Sequence, residues 1–262
     1  MSERRWKRQQ MESQLVQLGV REGDLLMVHA SLRSLGSVIG GANSVMQALL
    51  GALGPTGTLC AYVDFEPFFE ENDDPASIPV FDKQTASAAR DHGVLHETLR
   101  KWPGALRSDH PDAGVAAIGP KAAWLIENHP LQYGYGPGSP FDRFVQATGR
   151  VLHLGSPLDT TTLIHYAEHL APIPGKRLVR YRRLLPTEQG ASWVEIEEFD
   201  TSDPVADYLP VNCFELIVAD YLKAGMGSRG PIGDAECHLL EAQELTAFAV
   251  DWLQRYAALH AK

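Results

Sequence analysis

The sequence predicts an α/β fold: a central mixed sheet flanked by helices, with an appended antiparallel hairpin and helices at the C-terminal end. Three observations lead there. Short apolar runs of strand length, such as Leu25 to Ala30 and Val151 to Leu154, alternate with segments whose apolar residues recur every three or four positions. After Pro174 the pattern changes to two extended runs on either side of a turn at Glu188-Gln189-Gly190. At 262 residues, 44% hydrophobic and 21% charged, the chain has an ordinary globular composition and can bury a sizeable core. The expectation is one domain over 1–262, with room for a smaller subdomain around 175–210.

The elements follow in order. Met11, Leu15 and Leu18 fall on one face of an opening helix. Leu25 to Ala30, bounded by Gly23-Asp24 and Ser31, reads as a buried strand. A glycine-rich turn over 36–41 leads into a helix through Val45, Leu49 and Leu53. Gly54-Pro55-Thr56-Gly57 turns the chain into a strand over 58–63, and 64–85 reads as an irregular acidic loop. A helix over 86–100 and a turn at Trp102-Pro103-Gly104 come next. Strands are expected over 115–118 and 151–154. Between them Ser139-Pro140-Phe141-Asp142 opens a helix with serine as N-cap, proline at its first position and an acid in its first turn. The hairpin strands are expected over 177–185 and 193–199, and helices over 214–223 and 240–256 close the chain.

The totals exclude some function classes. A formal net charge of −10 disfavours nucleic acid, because phosphate binding needs a basic surface, and it suits a cationic ligand. No apolar run approaches membrane-spanning length, and no signal-peptide core follows the basic start, so a cytoplasmic protein is expected. Cys60, Cys213 and Cys237 are widely spaced and read as reduced, mostly buried thiols.

The segment from Asp159 to His169 carries the most chemistry. It sets His165, Glu168 and His169 on neighbouring turns of a helix, just after the strand at 150–154. Imidazole is the one side chain that titrates near neutral pH, and a carboxylate one turn away can orient it. The arrangement permits general-base catalysis. It also matches H-x-x-E-H, the two-histidine zinc pattern of inverzincins, for which Glu236 or Glu241 could be nominated as third ligand although neither is singled out by its surroundings. His169 itself reads first of all as an ordinary half-exposed helix residue. Thr160, Thr161 and Thr162 place this junction at the C-terminal edge of the sheet, where ligands bind.

Three other segments are candidates. From Val28 to Val38 a buried strand runs into small hydroxyl residues and glycine, whose amides can face an anion or line an extended ligand. It lacks the Rossmann and P-loop patterns and, alone, is first of all an ordinary strand–loop–helix turn. Acids crowd 64–74 and 195–207. The first cluster mixes with Tyr62, Phe65, Phe68 and Phe69, and carboxylates beside aromatic faces suit a polycationic small molecule. Arg107 to Pro111 is either a simple turn or a contact to a phosphate or ligand edge. Cys60 inside Leu59-Cys60-Ala61 could be a nucleophile, although an apolar strand suits an inert thiol better.

Taken in order, Val28 to Gly36, Arg107 to Pro111, Tyr133 to Pro140, Leu158 to Glu168 and Arg229 to Ala235 resemble the aminoglycoside 3-N-acetyltransferase family, from about Gln14 to Tyr256. The likeness is greatest to the subgroup acting on gentamicin-like and neomycin-like substrates. The resemblance implies an α/β fold unrelated to the GNAT acetyltransferases. It also implies acetyl transfer from acetyl-coenzyme A, as co-substrate and without a metal, to the 3-amino group of a deoxystreptamine antibiotic, giving resistance. It makes His165 the general base, with Glu198 and Asp200 as the acidic pair near it. Ser31, Leu32, Arg33, Ser34, Leu35, Gly36 and Val38 would lie along the pantetheine arm, with Ser108 and His110 also near the cofactor. Tyr62, Asp64, Glu66 and Glu168 would meet the aminoglycoside. Gly114 stands where relatives more often carry serine, which removes one cofactor hydroxyl. The implied partners are the aminoglycoside and acetyl-coenzyme A, with no nucleic acid or membrane, for a monomer or homodimer. Beside this stand a zinc-dependent hydrolase, a Cys60 acyl-enzyme and a non-catalytic binder of acyl-coenzyme A or aminoglycoside.

Overall fold

The computed structural model describes residues 5–65, 77–202 and 204–261. In chain order the elements are β1 (Arg5–Trp6), α1 (Arg8–Leu18), β2 (Leu25–Ala30), β3 (Ser37–Val38), α2 (Gly41–Leu53), β4 (Thr58–Tyr62) and α3 (Val94–Arg100). Then come β5 (Leu106–Arg107), β6 (Val115–Ile118), α4 (Ala122–Ile126), α5 (Pro140–Gln146), β7 (Arg150–Leu154) and α6 (Leu163–Leu170). The hairpin β8 (Leu178–Thr187) and β9 (Gly190–Phe199) precedes α7 (Cys213–Lys223), β10 (Ser228–Ile232), β11 (Ala235–Glu241) and α8 (Ala242–His260).

The main sheet has seven strands in the order β10-β11-β7-β2-β4-β6-β5. Strand β2 is parallel to both β4 and β7, and the remaining pairs are antiparallel, so the sheet is mixed as expected. Side chains alternate across β2. Leu25 and Met27 face one core, with Phe141, Phe144, Ile164, Ile217 and Leu253. Leu26 and Val28 face the other, with Leu15, Leu49 and Leu95. Every β2 residue up to His29 is buried, which is why the strand reads as a continuous apolar run rather than an alternating one. Because β2 has parallel partners on both sides, its carboxyl end is where the chain leaves toward opposite faces, and a crevice is expected there.

The hairpin forms a separate two-stranded ribbon in register from Leu178↔Phe199 to Thr187↔Gly190. It docks through main-chain and side-chain bonds onto residues 132–135, including Tyr133 N to Glu197 O at 2.9 Å. The N-cap reading at Ser139 holds: its side chain accepts from Asp142 N, with Pro140 at the first helical position.

Three expectations need correction. The helix over 86–100 is only α3, preceded by a 3-10 turn at Arg90–His92; Gly93 between them has φ +81°, a left-handed conformation that interrupts an α-helix. The last helix starts at Ala242, because Leu240 belongs to β11, whose residues 235, 237 and 239 are buried on one face. The β10–β11 hairpin, the short α4 and strands β1, β3 and β5 were not expected. β1, β3, β5 and α4 are too short to show a period, and Gly230-Pro231 interrupts β10; β11 does alternate, but its last two residues read as the start of the following helix.

Candidate active site

At the carboxyl end of β2 and β7 lies a cleft of about 680 Å³. One wall is the segment from His29 to Arg33; the others are Tyr62, the Asp91–Val94 turn with His96, the Ser156–Thr162 turn, His165 and Phe214. Gly155 leaves β7 with φ +69°, and a Cβ there would lie 2.9 Å from Ala235 Cβ and 3.0 Å from Ser34 Cβ. Glycine therefore lets this turn pass tightly under the Ser31–Ser34 loop. The chain then makes a 3-10 turn at Leu158–Thr160 and enters α6, which carries His165 one turn in.

His165 is held on three sides. Its Nδ1 and Glu168 Oε2 are 2.8 Å apart, the i,i+3 contact that the spacing permits. Its ring packs 4.9 Å from Tyr135 and 4.7 Å from Phe214. Glu168 is 2% exposed. At the end of α6, the Lys176 ammonium donates to the Glu168 main-chain carbonyl at 2.7 Å, capping the helix terminus; burial, partly offset by the Glu168 charge, holds this amine below its ordinary value. Tyr135 in turn shares its hydroxyl with Tyr62 at 2.7 Å, and burial keeps both phenols far above their usual range.

His169 looks elsewhere. Its Nε2 is 2.9 Å from Glu198 Oε1 on β9, and its ring packs on Phe199 and Tyr133. Far from half-exposed, its side chain is 6% accessible. Glu198 also accepts from the amides of Tyr135 at 3.3 Å and Phe199 at 2.7 Å. It thus clamps the hairpin to α6 and to the loop that carries Tyr135. Asp200 pairs with Arg177 at 3.2 Å and accepts from Ser202; burial raises its carboxyl, but these hydrogen bonds outweigh it and leave the group below its ordinary value. The acid in contact with His165 is therefore Glu168, whereas Glu198 and Asp200 are engaged by His169 and Arg177.

The other candidates divide. Ser31, Leu32, Arg33 and Tyr62 line the cleft. Ser34 bonds Ser31 through their hydroxyls at 2.9 Å, and Leu35 is fully buried in the core. A Cβ on Gly36 would run into the Asp234 carboxylate, and Val38 pairs with Trp6 in a two-stranded sheet. Ser108 and His110 do not reach the cleft. Ser108 Oγ contacts His129 Nδ1 at 3.0 Å, and His110 Nδ1 accepts from the amides of Asp112 and Ala113 while Nε2 donates to Leu131 O. Burial, with the His129 charge, pushes His110 down to about 3. Asp64 sits behind His92 and bonds its Nε2. Glu66 and most of the first acidic cluster lie outside the described residues, as does Asp203. Cys60 is fully buried in β4, and burial pushes its thiol far up, away from any nucleophilic thiolate.

The sequence reading missed His29, His92, His96 and Phe214. His29 stacks 5.4 Å from His153, and burial, then the His153 and His96 charges, hold it well below its ordinary value. A histidine ending a buried strand was the available signal for His29. His92 and His96 were hidden by the helix expected there. Among the described residues no group of three or more His, Cys, Asp or Glu is arranged to hold a metal ion, and no helix is long and apolar enough to cross a membrane.

Comparison with known proteins gives a consistent result. A family model described as aminoglycoside 3-N-acetyltransferase matches residues 27–254. The Pseudomonas aeruginosa protein named aminoglycoside N(3)-acetyltransferase III is 45% identical over 246 residues, covering 90% of this chain and 89% of its own. The Micromonospora chalcea protein named aminoglycoside N(3)-acetyltransferase IX is 36% identical over 262 residues, covering 94% and 93%. Among solved structures, AAC-IIIb in binary complex with CoASH superposes with a TM-score of 0.93 at 44% identity, covering 96% of this chain and 97% of that one. AAC-VIa bound to sisomicin gives 0.91 at 38% identity, covering 99% and 100%.

Proposed function

The chain belongs to the aminoglycoside 3-N-acetyltransferase family, and from that membership we propose that it moves the acetyl group of acetyl-coenzyme A onto the 3-amino group of a 2-deoxystreptamine aminoglycoside, with His165 as general base. The observation that carries the mechanism is the His165–Glu168 pair at the wall of the cleft. An ammonium cannot attack a thioester, so a proton must first leave the amine. With Nδ1 bonded to Glu168, Nε2 is the ring nitrogen left to take it. The buried carboxylate fixes the tautomer and stabilises the imidazolium that forms, as the orienting acid of a triad does.

The free amine then attacks the thioester carbon directly. The C–N bond forms first, and the tetrahedral adduct then collapses with breakage of the C–S bond; of the two protons that leave the nitrogen, His165 passes one to the departing thiolate of coenzyme A and the other is released to solvent. The oxygen that becomes negative needs donors. The hydroxyls of Thr160 and Thr161 already donate to the carbonyls of Pro157 and Leu158, and the amides of Ser31, Ser34 and Gly36 are bonded within the chain. Of the cleft-lining residues Ser31, Leu32 and Arg33, the amide of Ser31 is bonded to Leu154 O, whereas among the described residues those of Leu32 and Arg33 make no main-chain bond, and we assign them this role. Ser31 to Arg33 would then also flank the acyl end of the pantetheine arm, and Tyr62 the aminoglycoside ring.

The test is thiol release from acetyl-coenzyme A across a panel of aminoglycosides, with product regiochemistry read by NMR. His165→Ala should lower kcat on the order of 10²–10⁴-fold, the usual general-base contribution, with smaller effects on either KM. Near wild-type turnover in that variant would remove His165 from its role, and no release with any aminoglycoside would point to another acceptor.

A further inference from the structure

His29, next to last in β2, lines the cleft and is only 3% exposed. Its ring stacks on His153 at 5.4 Å and meets His96 edge-on at 6.4 Å. Neither neighbour bonds it. The Ser156 and Thr161 hydroxyls engage His153 at 3.0 and 2.9 Å, and the main-chain carbonyls of His92 and Val28 engage His96. Among the described residues Nε2 of His29 is buried with no hydrogen-bond partner, and Nδ1, also unbonded, is the nitrogen left open to the cleft. A neutral imidazole carries one N–H and one lone pair. Buried N–H groups are left unpaired more rarely than buried acceptors, so the lone pair belongs at Nε2 and the N–H at Nδ1, facing the cleft.

We propose that His29 is a further catalytic residue, whose Nδ1–H donates to the thioester carbonyl oxygen of the acyl donor and stabilises the negative charge that gathers there as the amine adds. An N–H donor suits a carbonyl oxygen, whereas the ammonium groups of an aminoglycoside need acceptors. Such a donor works with the amides of Leu32 and Arg33, which follow on the same crossing out of β2. His29 lends a hydrogen bond and keeps its proton, so the proton transfers of the reaction stay with His165. Burial first, then the neighbouring imidazoles of His153 and His96, hold the ring well below its ordinary value, and it therefore stays a neutral donor while His165 cycles. The stacked and edge-on neighbours fix the ring before substrate arrives, and a donor already in place costs no reorganisation when charge develops. The inference rests on the acetyl-transfer reading and adds a donor to it.

Isotope-edited infrared spectroscopy tests it without turnover. The full chain is loaded with acetyl-coenzyme A carrying a heavy carbon at the thioester carbonyl alone, so the amide carbonyls of the pantetheine arm do not contribute. Binding to wild type should lower that carbonyl stretch, and His29→Leu should return it part of the way to the free value. His29→Asn, whose side-chain amide can place an N–H where Nδ1–H stood, should keep the lowered stretch. In thiol release, His29→Leu should lower kcat on the order of 10²–10³-fold, the loss of one oxyanion donor, and His29→Asn by less than about tenfold. His29→Gln, whose amide reaches the Nε2 place instead, takes over from His29→Leu if that variant unfolds, with the same loss expected. A kcat within about threefold of wild type in His29→Leu, or equal losses in the Leu and Asn variants, overturns the inference even if aminoglycosides are acetylated normally. So does an unshifted thioester carbonyl in wild type, or a loss confined to acetyl-coenzyme A affinity, which would put the donor on a pantetheine amide. If wild type releases thiol with no aminoglycoside, the reaction reading fails, and the infrared shift alone decides the role of His29.

Discussion

Glu168→Gln separates orientation of the base from the fold that carries it. Glutamine keeps the length of the side chain and can still accept the His165 Nδ1 hydrogen through its carbonyl oxygen, so the ring should stay near its place. What it loses is the negative charge 2.8 Å from Nδ1. With charge centres about 4 Å apart and an effective dielectric near 20, a carboxylate and an imidazolium attract by about 4 kcal/mol. The retained hydrogen bond and the glutamine dipole recover part of that, leaving a loss of about 2–3 kcal/mol that acts only once His165 has taken the proton. This corresponds to a fall in kcat of roughly 30- to 150-fold with little change in KM. The assay is steady-state thiol release at saturating acetyl-coenzyme A, with a thermal melt of each variant to exclude unfolding. Asp200→Asn is the control: its carboxylate pairs with Arg177, and kcat should stay within about twofold. A folded Glu168→Gln enzyme with kcat within about threefold of wild type, or an Asp200→Asn enzyme that loses more, would refute the assignment of the orienting acid.

Two further predictions concern stability. His110, His129 and His153 are nine-tenths buried or more, and burial first, then neighbouring charges, brings them to about 3, about 4 and about 3. Unfolded, each would titrate near 6.5, so below that pH the unfolded chain binds protons that the native one refuses, and stability falls as pH drops toward 4. Each group contributes up to about 1.4 kcal/mol per pH unit, so the urea midpoint should decline steeply between pH 6.5 and 5, a combined loss of roughly 5 kcal/mol; a flat midpoint over that interval would contradict it. Gly134→Ala places a Cβ 2.5 Å from His110 Nε2, 2.6 Å from its Cδ2 and 2.9 Å from Ala113 Cβ, against a ring pinned by three hydrogen bonds. It should cost about 1–3 kcal/mol and lower Tm by about 3–10 °C, and an unchanged melt would show that the loop yields more easily than this packing allows.

What the sequence made legible was what local physics governs. The continuous apolar run of β2, the N-cap and proline of α5, and the i,i+3 reach of Glu168 to His165 each depend on residues within a few positions of one another. The allocation of acids was not legible. Glu198 and Asp200 lie two residues apart at the end of one strand, yet the first turns inward to His169 and the second outward to Arg177. Strand alternation places Glu198 and Asp200 on the same side, so only the break of the ribbon after Phe199, set by tertiary docking, divides them. His110 is a related case. It borders a turn, as a ligand contact would, but its ring satisfies the turn's own amides and a main-chain carbonyl. A histidine used as a structural linker and one used for chemistry look alike in sequence.

The same point settles how the H-x-x-E-H spacing should be read. Four positions along a helix bring two imidazoles to one face, and a metal would require both to converge on one point. Here each has its own carboxylate, from different elements: Glu168 within the helix for His165, and Glu198 from the ribbon for His169. The ring of His165 is wedged between Tyr135 and Phe214, while that of His169 is wedged between Tyr133 and Phe199. Converging on a shared ion would break two hydrogen bonds to buried carboxylates and separate both rings from their aromatic neighbours. The spacing therefore serves two tasks one turn apart. His169 fastens the ribbon to the helix, and the helix, so fastened, holds His165 at the cleft with Glu168 locked behind it. Loosening the Glu198–His169 contact should therefore impair catalysis through the position of α6, without either residue touching substrate.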